Sequence, residues 1–471
     1  MTNRVLLFNP PSEFYAMPLG LMAVGSALDP ARWSAEIFDA RIDPGAGNRL
    51  LERAADAEAV GITVFSGKPI GPALDLSRAI KQRHPLLPVI WGGWHPSILP
   101  EQCVADEAVD AVVIGQGEAT FRDLLEAIDD RSGWIEIPGL CVSGAGGPAR
   151  SAPRPLTDMN TLAPTDYGLI DVERYFRHKR TRQLDYSSSR GCPYKCTFCA
   201  DPVIYNSRWT SLSAERTASE LRALHRQHAF DEVFFLDDDL FASLKRIRAL
   251  VEELRRPPVR FGWKGTARAD EICRLPAAFL DGLRESGCRR INIGAESGSQ
   301  RILDRIRKQY RVGEIVEAAH RLAAARIGAS YSFIVGFPGE TEEDLAATFD
   351  VLKQVRAVSH DLEATLYFYA PYPGTELVGE LEARGVALPG RTEDWVDFTI
   401  DSAWLAGPGD LERRVRDLNF YFRHGYAKKS PNLVRALVRF LARVRCDHDW
   451  YRWPVEPAAA RFASGLRGGG S

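Results

Sequence analysis

A chain of 471 residues is long enough for about three domains at roughly 150 residues each, and its 45% hydrophobic and 26% charged residues are the composition of an ordinary soluble globular protein. A formal net charge of −2 offers no overall attraction for nucleic acid, which is excluded as an expected partner. The longest apolar stretches are strand-sized, so none spans a bilayer, and Met1 to Asn9 is too short for a signal-peptide core; the cytoplasm is the expected location.

The first 130 residues alternate strand and helix signals, which predicts a parallel α/β sheet. Strands are expected at Arg4–Phe8, Ala35–Phe38, Ala59–Phe65, Pro88–Trp91 and Ala111–Ile114, with a helix from Leu19 to Leu28. Turns rich in Gly, Pro or Ser follow them, at Asn9-Pro-Pro, Ser66-Gly67, Gly92-Gly93 and Gly115-Gln-Gly117. Ligands of such a sheet bind outside the carboxyl ends of the strands, where these turns fall. Residues 1–135 are read as one domain and 136–180 as a Gly-, Ala- and Pro-rich linker holding two short extended pieces.

From 181 to 385 the alternation resumes. Later strands are expected at Glu232–Leu236, Arg260–Gly265, Arg290–Ile293, Tyr331–Val335 and Ala364–Tyr369. Six βα units make an open or partial barrel whose working face is at the strand C-termini. The remainder, 386–471, reads as helical and basic. There Arg435, Arg439, Arg443 and Arg445 alternate with Leu and Val before Trp450, Tyr451 and Trp453. A solvated helix face is the plain reading of these arginines. The sharper readings are a cover over a large apolar or anionic substrate, or a helix on a membrane surface; membrane association is not expected.

The eight cysteines make no disulfide framework, since five are scattered and three are clustered. Cys192, Cys196 and Cys199 stand in the run Ser-Ser-Ser-Arg-Gly-Cys-Pro-Tyr-Lys-Cys-Thr-Phe-Cys, a C-x3-C-x2-C spacing with no fourth Cys nearby. Three thiolates can hold three irons of a 4Fe–4S cube and leave the fourth iron open to a small molecule. A structural zinc would want four ligands, and the nearest histidines, His178 and His225, are 14 and 26 residues away. The spacing, with Phe198 just before the last Cys, resembles the signature of radical S-adenosylmethionine (SAM) enzymes.

The resemblance extends along the barrel. Asp238, Asp239 and Phe241, in Leu236-Asp-Asp-Asp-Leu-Phe, fit the Asp-Asp-x-Phe of the cobalamin-dependent branch, where this segment positions the amino end of SAM. A D-x-D divalent-metal site is the competing reading. Arg268 lies just past the third barrel strand, and its guanidinium suits a carboxylate. Asn292-Ile-Gly-Ala-Glu-Ser-Gly is similar to the family's Gly-x-Glu-Ser-Gly, which implies Glu296 and Ser297 at SAM. Val335-Gly-Phe-Pro-Gly-Glu-Thr341 and Tyr372-Pro-Gly-Thr-Glu-Leu377 also look like family sequence, the former where members place a turn beside adenine.

Pro18-Leu-Gly-Leu21, Trp91-Gly-Gly-Trp-His-Pro96 and Gly115-Gln-Gly-Glu118 resemble the cobalamin-binding domain of the same branch. That likeness implies a doubly wound, Rossmann-like or flavodoxin-like domain. Ser66, Gly67, Gly92, Gly93, Gly115, Gly117 and Glu118 would contact the corrinoid, whose approach small residues permit. A flavin or nucleotide site is the alternative. Many cobalamin domains carry Asp-x-His-x-x-Gly after the first strand, but Asn9 to Gly20 holds no His, so no protein imidazole is expected below cobalt. His95 is expected in a structural or tail-contact role.

The family implies that a reduced, oxygen-sensitive cluster, fed by an external donor of the flavodoxin or ferredoxin type, cleaves SAM to a 5′-deoxyadenosyl radical. Methylcobalamin would then methylate an unactivated carbon of a small-molecule substrate. The chain also resembles the anaerobic magnesium-protoporphyrin ester cyclase, which implies an oxidative cyclisation or rearrangement without methyl transfer as the second reading. A corrinoid-binding sensor or carrier is the third. Substrate, acid–base residues and oligomeric state are not readable.

Overall fold

A computed structural model describes residues 2–13, 15–144, 146–257, 261–398, 410–428, 433–448, 450–451 and 454–457, with backbone alone at 410 and 433. Arg260 and Trp453 lie outside them. The chain forms two compact units, Met1–Trp263 with Pro371–Thr399, and Lys264–Ala370 with Ile400–Ser471.

The first sheet comprises β1 (Asn3–Asn9), β2 (Trp33–Asp39), β3 (Ala59–Thr63), β4 (Val89–Gly92), β5 (Ala111–Val113), β6 (Leu140–Gly144) and β7 (Gly147–Arg150), in the order β2-β1-β3-β4-β5-β6-β7. Val5, Leu6, Leu7 and Phe8 are all buried, so β1 is covered on both faces, as a central parallel strand must be. Asn3–Asn9 pairs with Trp33–Asp39 on one side and Val5–Phe8 with Ala59–Ile62 on the other, both parallel. The order 2-1-3-4-5 is the flavodoxin-like arrangement, and its crevice opens where the chain reverses direction at β1 and β3. Gly61 in β3 lets the helix Gly117–Glu126 pack close: a Cβ there would stand 2.8 Å from Leu7 and 3.3 Å from Phe121. The two extended pieces expected after 136 are β6 and β7. They pair antiparallel and carry the sheet onward because Leu140, Cys141 and Val142 are buried against it.

The barrel strands are β8 (Gln183–Tyr186), β11 (Glu232–Phe235), β12 (Gly262–Ala267), β13 (Cys288–Glu296), β14 (Gly328–Val335) and β15 (Leu362–Phe368); β9 (Ser189–Gly191) and β10 (Trp209–Ser211) form a separate antiparallel pair. The first unit holds β8-β11 and the start of β12. The second holds the rest of β12 followed by β13-β14-β15, so sequence order is kept throughout, as in successive βα units. β13 ends in an irregularity between Gly294 and Glu296, where Glu296 takes a φ of +59°. A non-glycine residue held there costs on the order of 1–3 kcal/mol, and such positions cluster at functional sites.

After β14 the chain turns through Gly336 and Gly339, with φ of +83° and +74°. Glu340 folds back across that turn, and its Oε2 accepts from the Gly336 N–H at 2.5 Å. Its Oε1 is buried with no hydrogen-bond partner. Burial pushes this carboxyl up to about 7, aided by Asp344 and opposed by the Gly336 and Phe337 N–H groups and Arg301. A raised carboxyl favours the fold most below its unfolded value of 4.5 and loses that contribution as pH rises through about 7. Glu340→Gln keeps an oxygen for Gly336 and removes the buried charge. Thermal melts should therefore show the variant more stable than the parent by about 2–4 °C at pH 8.5, with the gap closing toward pH 5.

Candidate active site

Gly191 closes β9 with a φ of +76°, in a place where a Cβ would run into the Arg208 carbonyl. The cysteine loop follows at once. It is irregular from Cys192 to Ala200, with one turn closed by the Cys199 N–H on the Cys196 carbonyl at 3.2 Å. Cys192, Cys196, Phe198 and Cys199 are all half-buried. Among the described residues no three His, Cys, Asp or Glu side chains gather as a single metal ion would need. Three irons of a 4Fe–4S cube would take one thiolate each, so Cys192, Cys196 and Cys199 would have to converge on one cluster. Burial pushes the Cys192 and Cys199 thiols up, with the charges of Asp239 and Asp201 adding to it. Bound cations are what hold such thiols as thiolates.

The carboxyl end of β11 fastens this loop. Asp237 accepts the Ser188 N–H at 2.7 Å and the hydroxyls of Ser188 and Ser189 at 2.6 and 2.7 Å. Asp238 accepts the Gly191 N–H at 2.9 Å, one residue before Cys192. Burial raises the Asp238 carboxyl to about 6; the Gly191 N–H and Arg190 oppose the rise and Asp237 adds to it. Asp239 is buried and accepts the Phe241 N–H at 3.0 Å. Asp237 and its two serines have no part in the sequence reading of the site. A serine run before the cysteines is the only signal that could have marked them. Asp201, just past the loop, has a buried Oδ1 without a hydrogen-bond partner. The segment after the sixth barrel strand braces the loop from another side. The Leu377 N–H donates to the Thr197 carbonyl at 3.1 Å, and a Cβ on Gly374 would stand 3.1 Å from Val203.

In the same unit a cavity of about 440 Å³ opens at the carboxyl ends of β1, β3, β4 and β5. Gly92, Gly93, Gly115, Gly117 and Glu118 line it, together with Arg190, Tyr205 and Asp238. Ser97 ties two of its turns together: its Oγ donates to the Gly93 carbonyl at 2.6 Å and accepts from the Gly115 N–H at 2.9 Å. Gln116 spends its oxygen on the Thr157 N–H, and its Nε2 is left buried and unpartnered at the cavity. Ser66 and Gly67 stand outside the lining. The Ser66 Oγ is 3.1 Å from His95 Nδ1, and Gly67, at a φ of +95°, leaves room for the Phe398 backbone. His95 is also outside it, buried edge-on against Trp395, and burial pushes its imidazole down to about 4. Glycine turns, an apolar wall and an orphan amide donor fit a bulky corrinoid bearing peripheral amides.

The second unit gathers the other candidates. Glu296 Oε1 takes the Lys308 ammonium at 2.8 Å with both side chains buried. Gly294 makes the room, since a Cβ there would meet both of them. Arg268 is buried. Its Nε donates to Asp270 Oδ1 at 3.0 Å, its Nη2 donates to the Lys308 carbonyl, and it lies over the Tyr310 ring. The Tyr310 hydroxyl donates to the Gly294 and Ala295 carbonyls at 2.8 and 3.1 Å, fixing the bend that presents Glu296. Ser297 Oγ faces Thr348 Oγ1 at 3.1 Å and accepts the Ser299 N–H, so it is engaged in joining strand end to helix. Lys308 escapes a sequence reading, because nothing in Arg307-Lys-Gln-Tyr310 announces a pairing 12 residues back.

Two family models match this chain: the radical SAM superfamily over residues 186–352 and the B12-binding domain over residues 10–125. An uncharacterised methyltransferase of Pyrococcus horikoshii is 28% identical over 417 residues, 84% of this chain and 86% of the relative. The anaerobic magnesium-protoporphyrin IX monomethyl ester cyclase of a Synechocystis species is 25% identical over 403 residues, 83% and 79% of the two chains. The chain is a cobalamin-dependent radical SAM enzyme. The fold agrees: the structure of OxsB, a cobalamin-dependent SAM radical enzyme with aqua-cobalamin and SAM bound, superposes with a TM-score of 0.74 at 17% identity, covering 99% of this chain and 75% of the other.

The cofactors of this radical SAM enzyme are accordingly a 4Fe–4S cluster, SAM and cobalamin. Asp237 yields a direct test of how its cluster loop is held. Asp237→Ala strands three donors in a buried setting, at about 1–3 kcal/mol each. Iron per chain after anaerobic reconstitution should fall by about half or more, with a lowered melting temperature. Full iron content with an unchanged melt would mean the loop is held by other contacts.

Proposed function

We propose that this enzyme is a radical methyltransferase that places a methyl group on an unactivated carbon of a small molecule. The observation that carries the reading is that one compact unit joins the cysteine loop to the glycine-lined cavity, with Arg190 and Asp238 lining that cavity beside the loop. In this reading Cys192, Cys196 and Cys199 hold the cluster, and the remaining iron is left for SAM. Phe198, Asp238, Asp239, Arg268, Glu296 and Ser297 are proposed to surround SAM. Gly92, Gly93, Gly115, Gly117 and Glu118 would face the corrinoid directly, with Ser66 and Gly67 supporting the turn behind. The cofactors supply a 5′-deoxyadenosyl radical and a transferable methyl group, given one electron from a flavodoxin- or ferredoxin-type donor.

The chain's own contribution is placement and exclusion. Asp238 and Asp237 fix the cysteine loop, while the apolar cavity walls keep water from a reactive centre. Lys308 holds the Glu296 carboxylate at one angle with its charge compensated. The proposed setting is the cytoplasm, where thiols and cluster stay reduced; among the described residues no helix is long and apolar enough to cross a membrane.

With SAM bearing a trideuterated methyl group, the reconstituted enzyme and producer-cell metabolites should yield a product heavier by three deuteriums, alongside S-adenosylhomocysteine and 5′-deoxyadenosine. A new product without label would instead favour a cyclisation or rearrangement, the class of reaction for which the cyclase relative is named. Separately, Lys308→Met should weaken SAM binding about ten-fold in equilibrium dialysis, with Lys308→Arg recovering part of it. Unchanged binding in the Met variant would remove Glu296 from the SAM site.

A further inference from the structure

The helix Leu433–Asp447 is amphipathic in the opposite sense to a solvated basic face. Arg439, Arg443 and Arg445 turn toward the protein, while Arg435 is exposed. The Arg439 Nε donates to the Ala427 carbonyl at 2.8 Å, and Arg443 lies 4.2 Å over the Tyr426 ring. Arg445 is buried, pairing with Glu456 at 2.8 Å between the rings of Tyr421 and Trp450. Guanidinium stacking on aromatic rings and a half-buried carboxylate outweigh hydration here. The apolar side chains are what remain outside. Val434, Leu437, Phe440 and Leu441 are 70%, 57%, 62% and 37% exposed, and Trp450 and Val455 add 55% and 63%. Positions i, i+3, i+6 and i+7 share one side of a helix, so the first four form a stripe.

We propose that this stripe docks the enzyme on an anionic lipid bilayer surface. Charge selects that occupant. Between residues 410 and 448 ten Lys and Arg stand against four Asp and Glu; Arg414, Lys428 and Arg445 are met by Glu342, Asp361 and Glu456 from outside that stretch, which leaves a surplus of +3 in a chain whose total is −2. A two-fold dimer through this face would set the same basic region against itself. Anionic headgroups complement the charge, while the acyl boundary takes the stripe, as with interfacial helices that lie on a membrane. With 15 residues the helix lies on the surface and does not span it.

The test is flotation of the reconstituted full-length enzyme with vesicles of phosphatidylcholine containing about 30% phosphatidylglycerol, against phosphatidylcholine alone. The enzyme should float with the anionic vesicles at low salt, about ten-fold less with neutral ones and less as salt rises. A Val434→Ser, Leu437→Ser, Phe440→Ser variant alters only exposed positions, so its circular dichroism and melt should match the parent. Its flotation should fall about ten-fold. Failure of the parent to float at low salt, or equal flotation by the variant, would overturn the proposal. So would a dimer in sedimentation equilibrium that the variant splits, since the stripe would then serve a second copy. None of these readouts depends on methyl transfer.

Discussion

A carboxylate taken out of water must be met by hydrogen-bond donors, and at the carboxyl end of β11 that requirement shapes the cysteine loop. Asp237 receives one backbone and two hydroxyl donors from Ser188 and Ser189, and Asp238 receives Gly191. The stretch leading to Cys192 is thus fixed by neighbours nearly 50 residues away in sequence. Three thiolates can meet three irons of one cube only if their loop is held in one shape. The donors also settle a local conflict: three consecutive acids at a strand end repel, and two of them find compensation in the loop. Leu377 and Gly374 brace the loop from a segment nearly 180 residues later, so its shape depends on parts of the chain that are distant in sequence.

The cavity depends on a different economy, the absence of side chains. Parallel strands buried on both faces bring their carboxyl ends to one edge, and glycines there decide how near a large ligand can come. Gly93 and Gly115 also adopt positive φ, so their turns are glycine for conformational as well as spatial reasons. Ser97 locks those two turns together with a single hydroxyl. His95 sits nearby yet is used in packing, with Ser66 on one nitrogen and Trp395 against its ring. A buried neutral imidazole turned to Ser66 and Trp395 supports the turn behind the cavity.

Much of this was legible in the chain because it is local. Apolar runs ending in turns rich in Gly, Pro or Ser marked β1 and β3 to β5, and the C-x3-C-x2-C spacing marked the cluster loop. The bend at Glu296 falls inside a segment already similar to family sequence. What escaped was pairing across long stretches of chain, which no pattern of period two or 3.6 encodes. Asp237 on Ser188, Lys308 on Glu296 and Phe398 over Gly67 are of this kind. The arginines of the last helix show a second limit. Their spacing fits a solvated face, but Tyr421, Tyr426 and Glu456 offer guanidinium groups better partners than water does. Which side of an amphipathic helix faces inward is set by what lies beneath it.

The central claim is that one chain carries a site-differentiated iron–sulfur cluster together with a corrinoid. Elemental and sulfide analysis of the anaerobically purified protein, reconstituted in the presence of cobalamin and freed of unbound metal, tests it most directly. The account predicts about four iron, four sulfide and one cobalt per chain, with no stoichiometric zinc. Zinc in place of iron, or iron without retained cobalt, would contradict it.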